Sequence, residues 1–142
     1  MHTVPIGADE SCHNSSGLVE LKDRYDVVNI KLDKCGGLTA ALQMQRMALA
    51  QGYEIMVGCM VDTSWAMAPA MLLTTGARVV DLDGPLLLAA DRRPGLEYRG
   101  TVIAPPRAEL WGRIRSPATA DTRAASPSRE TLSDAPGGGA LR

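Results

Sequence analysis

The chain has 142 residues, with 15 Lys and Arg against 16 Asp and Glu and a formal net charge of -1. That is one domain's length with room for a core, and it offers no basic field to draw nucleic acid or an anionic membrane. No apolar stretch approaches the roughly 18 residues of a membrane span, and no charged start followed by an apolar segment marks a secretory leader.

Three cysteines, Cys12, Cys35 and Cys59, are odd in number and widely spaced. They fit thiols buried in a reducing compartment better than disulfides or a zinc site. Phe is absent and aromatics make up 4% of the chain, so Leu, Val, Ile, Met and Ala must build the core. A cytoplasmic α/β protein is the expectation.

Residues 4–8 form a short apolar run that ends at Asp9 and Glu10. Residues 15–24 read as a helix with Leu18, Val19 and Leu21 on its apolar side and Ser15 or Ser16 as cap. Residues 27–32, VVNIKL, predict a strand. Gly36 and Gly37 then break the chain as a tight turn, without the GxGxxG of a phosphate cradle. Residues 38–51 predict a helix with Leu38, Ala41, Leu42, Met44, Met47 and Ala48 near helical spacing and Gly52 as its stop. Residues 54–58, EIMVG, predict a third strand. Residues 63–75 predict a helix capped by Thr63 or Ser64, which Pro69 should delay or kink. Residues 79–83 predict a fourth strand, with Val79 and Val80 buried, closed by Gly84 and Pro85. Leu86 to Leu88 are candidates for packing, and residues 96–103 for a small strand or excursion. Residues 113–142, rich in Pro, Ser, Thr, Ala and Gly, are expected to be a disordered tail behind a domain spanning 1–112.

The order β-α-β-α-β-α-β predicts parallel strands joined by helices. In such folds the C-terminal strand ends carry the ligand site. Asp9, Lys31, the stretch 59–62 and Asp81 with Asp83 all stand at such ends, so four segments place polar residues on one rim. In an extended segment Asp81 and Asp83 point the same way. Two like charges on one face are costly without a cation between them.

ADES at 8–11, NIKLDKCGGL at 29–38, MVGCM at 56–60 and VDLDGPLLL at 80–88, in this order and spacing, resemble the enolase superfamily. Within it the resemblance is to the mandelate racemase and muconate-lactonising branch, and the DxD pair points to the dipeptide epimerases. The resemblance covers roughly residues 4–112. It implies part of a TIM-type (β/α) barrel, strands five to eight with their helices, and a 1,1-proton transfer beside a carboxylate. It implies magnesium as cofactor and a dipeptide or N-substituted amino acid as substrate. By this resemblance Asp9 is a metal carboxylate, Lys31 the base, Asp62 a residue lining the site, and Asp81 and Asp83 the holders of the substrate's α-ammonium. Such a cation would answer the like-charge problem through charge-assisted hydrogen bonds. A lysine base must be neutral part of the time, which calls for burial or a nearby cation.

Plainer readings stand beside these. Asp9 suits a turn or helix cap, Lys31 an ordinary solvated lysine as Lys34 does, and Asp81 with Asp83 a turn or a stray cation site. His13 reads as a loop residue and the methionines as core. The family's cap, its second-strand lysines and its other metal carboxylates have no counterpart here. A full barrel takes about 250 residues, and four strands leave two open edges. The chain is therefore expected to be a fragment, inactive alone. The alternative is a non-catalytic remnant or half-barrel that needs another copy or a complementing chain.

Overall fold

The computed structural model describes residues 3–111. Four strands, β1 (Gly7–Ala8), β2 (Val27–Ile30), β3 (Glu54–Val57) and β4 (Val79–Val80), form one parallel sheet in chain order. The crossovers carry a 3-10 helix Ser15–Leu21, then α1 (Leu32–Cys35) and α2 (Leu38–Ala50), then α3 (Ser64–Ala70) running into a 3-10 turn Met71–Leu73. A separate two-stranded hairpin, β5 (Tyr98–Arg99) and β6 (Val102–Ile103), follows the sheet. The α/β alternation is as the sequence predicts. No helix among the described residues is long and apolar enough to cross a membrane.

Strand registers divide the sheet into two faces. Val28 pairs with Ala8 and with Ile55, and Ile30 with Val57. These side chains are fully buried under the helices, against Leu18, Ala41, Met44, Met67, Leu73 and Leu82. α2 sends Ala41, Met44, Gln45 and Ala48 to this core, near the spacing of one helical face. The Tyr53 hydroxyl donates to the Leu18 carbonyl at 2.9 Å in the same core.

Several boundaries differ from the sequence reading, each for a local reason. Residues 15–21 form a 3-10 helix, and the cap is Asn14, whose Oδ1 accepts from the Ser16 and Gly17 amides. β2 stops at Ile30 because Leu32 opens α1, which ends at Gly36 with φ 92, a left-handed conformation that glycine adopts without strain. Pro69 lies inside α3, and the chain tightens to 3-10 geometry two residues later. Val79 and Val80 are not buried but 43% and 41% exposed, because β4 is an edge strand. Leu86 and Leu87 are likewise exposed. Cys12 is buried, whereas Cys35 and Cys59 are half-buried, and all three are free thiols. The expected boundary at 112 and the tail 113–142 lie outside the described residues.

Candidate active site

The other sheet face carries the chemistry. Gly7 pairs with Val27, Val27 with Glu54 and Met56 with Val79. Counting by two along each strand puts Asp9, Asn29, Lys31, Gly58, Asp81 and Asp83 on that same face. Two further backbone bonds carry the ladder past the strands: Gly58 N–H donates to the Ile30 carbonyl at 3.0 Å, and Asp81 N–H to the Val57 carbonyl at 2.8 Å.

Asp9 and Lys31 meet directly. Lys31 Nζ donates to Asp9 Oδ2 at 2.8 Å, and the lysine side chain is 13% exposed. Lys34 Nζ takes the other oxygen, Asp9 Oδ1, at 3.2 Å and also bonds Glu10 Oε1 at 2.5 Å. Lys34 is therefore no ordinary solvated lysine. Lys31 caps α1, and Lys34 stands one turn further on, so both ammonium groups reach the same carboxylate. Burial pushes the Asp9 carboxyl up, but the hydrogen bonds and charges of Lys31 and Lys34 outweigh it and leave Asp9 below the usual range. The contact with Glu10 holds the Lys34 ammonium above its usual value.

Asp81 and Asp83 form the second cluster. Asp81 is pushed up by burial first, then by the charge and hydrogen bonding of Asp83. Lys31 acts on Asp81 in the opposite direction, through its charge. The Cys59 thiol is raised by burial first and then, more weakly, by the charges of Asp81 and Asp83. Gly84 follows the pair closely. A Cβ there would stand 2.5 Å from the Met60 carbonyl oxygen and 3.3 Å from the Asp62 nitrogen, so a side chain has no room. Asp62 reaches the rim through that backbone contact, while its carboxylate turns back to accept the Thr63 amide at 2.5 Å.

Asn29 is a residue that the sequence reading passed over. It is 7% exposed, two positions before Lys31, and among the described residues its Oδ1 is buried without a hydrogen-bond partner. Its offset of two from Lys31 was the available signal. Asp91 is another. It bonds the Ser64 amide at 3.0 Å and the Ser64 hydroxyl, capping α3 in place of Thr63.

The described residues do not by themselves fit a divalent metal. Among them no group of three His, Cys, Asp or Glu side chains could hold one. Asp9 offers one carboxylate, and both its oxygens are engaged by ammonium groups.

A sequence profile described as Enolase C-terminal domain-like matches residues 1–108. The chain belongs to this family. Among enolase C-terminal domain-like relatives, N-acetyl-D-glutamate racemase of Pseudoalteromonas sp is 52% identical over 109 residues, 77% of this chain and 35% of that protein. L-Ala-D/L-Glu epimerase of Escherichia coli strain K12 is 52% identical over 98 residues, 69% of this chain and 30% of that protein. A solved enolase family member from Agrobacterium tumefaciens, with homology to dipeptide epimerases, holds sodium and L-Ala-L-Glu with an ordered loop. It matches at TM-score 0.76 and 58% identity over 79% of this chain and 34% of that one. The chain spans about a third of the length of these relatives.

Proposed function

We propose that residues 1–112 are the strand-five-to-eight segment of a barrel that epimerises dipeptides by proton transfer beside a carboxylate. The observation that carries the reading is one sheet face bearing Lys31 paired with Asp9 and, at the next strand ends, the Asp81 and Asp83 pair. Lys31 is the base. Its amine takes the α-proton, and the C–H electron pair passes into the neighbouring carboxylate as an enediolate. Return of a proton from the opposite face inverts the centre, and that donor comes from outside this chain. Asp81 and Asp83 hold the α-ammonium, which lowers the cost of two adjacent carboxylates. This pair favours a free dipeptide over an N-acylated amino acid, which has no ammonium to offer. Asp62 lines the site through its backbone. Asp9 would offer one carboxylate to a magnesium ion, which would draw off the charge of the enediolate, once Lys31 or Lys34 released an oxygen.

A non-catalytic half-barrel is the second reading, favoured by the closed Lys31–Asp9–Lys34 contacts. Exchange of the α-proton of L-Ala-L-Glu in deuterated water with magnesium separates the two. The chain alone should give none. Adding the remaining strands of the Escherichia coli epimerase as a separate polypeptide should restore exchange, and Lys31→Ala should abolish it. Exchange by the chain alone would remove the incompleteness argument, and a silent complemented barrel would remove the epimerase reading.

A further inference from the structure

Asp81 and Asp83 do not share one anchor. The Asp81 amide, one residue past β4, still bonds the sheet through the Val57 carbonyl at 2.8 Å. Asp83 lies beyond that bond, at the start of the 3-10 turn Gly84–Leu87, on a segment whose Leu86 and Leu87 are exposed. What holds the peptide between the two carboxylates is Tyr98. Its hydroxyl, arriving from β5 of the separate hairpin, donates to the Leu82 carbonyl at 2.7 Å. On the other side the Gly84 amide contacts the Cys59 thiol, and Gly84 seats on the Met60 carbonyl. The peptide is thus clamped from two directions.

We propose that Tyr98 is a positioning residue that fixes the spacing of Asp81 and Asp83, and through it the strength with which the pair holds an ammonium. The inference rests on the reading of that pair as an ammonium site. The Tyr98 hydroxyl suits a permanent donor. Burial first, then the charges of Asp91, Cys59 and Asp83, push it up to about 12, so it keeps its proton throughout the neutral range. A carbonyl bonded by a fixed donor cannot swing, and a peptide that cannot swing keeps its flanking side chains in register. Asp83 would otherwise move away from Asp81, since like charges separate when they can.

The test compares the 142-residue chain with Tyr98→Phe, which deletes one hydroxyl and keeps the ring. Carbon-13 labels on the Leu82 carbonyl and on the Asp81 and Asp83 carboxyls are read against pH, then against added L-Ala-L-Glu. Core signals of Ile55 and Met44 should stay in place. The Leu82 carbonyl should shift, the Asp81 titration should fall toward the ordinary aspartate value, and dipeptide affinity should drop about threefold to tenfold, the worth of one net hydrogen bond. Val102→Ala, on the exposed face of the same hairpin, should change none of these. An Asp81 titration unmoved by Tyr98→Phe, or moved equally by Val102→Ala, would overturn the positioning role. A wild-type chain that ignores the dipeptide while its Asp81 titration still answers to Tyr98→Phe would overturn the ammonium reading and leave Tyr98's role standing.

Discussion

Replacing Asp9 by Asn removes one negative charge from between two ammonium groups while keeping the side chain's shape. In the native chain Lys31 and Lys34 are 13% and 17% exposed and share the carboxylate at 2.8 and 3.2 Å. Asp9 itself is 36% exposed, so solvent screens both contacts, and each is worth about 0.5 to 1 kcal/mol rather than the larger value of a buried pair. The expected loss is about 1 to 2 kcal/mol, a fall of roughly half a molar or more in the urea midpoint for a protein of this size. The pH dependence has a definite sign. Asp9's carboxyl is lowered in the folded chain, so its contribution is complete above the ordinary value of 3.8 and is lost as pH falls through the lowered one. Urea denaturation at fixed protein concentration, for wild type and Asp9→Asn at about pH 7 and about pH 2, tests this. The midpoints should differ at the higher pH and converge at the lower, and about 1 M salt should shrink the difference. Equal midpoints at neutral pH would refute the shared-carboxylate argument, and so would a gap that survives in acid.

The second acidic cluster predicts the opposite sign. Asp81 is raised by burial and by Asp83, so its charge opposes folding once pH exceeds the ordinary carboxylate range; its exposure screens the effect, so Asp81→Asn should raise the urea midpoint slightly near neutral pH and not in acid, read by the same titration. Gly58→Ala should destabilise by about 1 to 3 kcal/mol, since its Cβ would stand 2.5 Å from Asn29 Oδ1, and Asn29→Ala in the same chain should recover part of the loss. Tyr53→Phe leaves the buried Leu18 carbonyl without its donor and should cost about 1 to 2 kcal/mol, visible as a lower melting temperature.

The parallel sheet was legible because VVNIKL and EIMVG are dense in β-branched and aliphatic residues and are separated by a helical pattern with glycine breaks. Asp9, Lys31, Asp81 and Asp83 were legible for a related reason, since each directly follows such a run. The exposure of Val79 and Val80 was not, because a β-branched pair reads the same in an edge strand as in a central one. The 3-10 geometry of Ser15–Leu21 depends on Asn14 competing for the first amides, which spacing alone does not reveal. Lys34 and Tyr98 act across 25 and 16 residues of chain respectively, on Asp9 and on the Leu82 carbonyl. Contacts of that range are set by tertiary packing and leave no local pattern.

The central claim is that separate strand ends form one rim with a place for an ammonium beside Lys31. Its most direct measurement follows the Asp81 and Asp83 carboxyl carbons while the chain is titrated in parallel with L-Ala-L-Glu and with the same dipeptide acetylated at its amino group. The account predicts that the free dipeptide moves both signals and that the acetylated one leaves them still. Equal responses to the two ligands, or a response confined to residues away from this face, would contradict it.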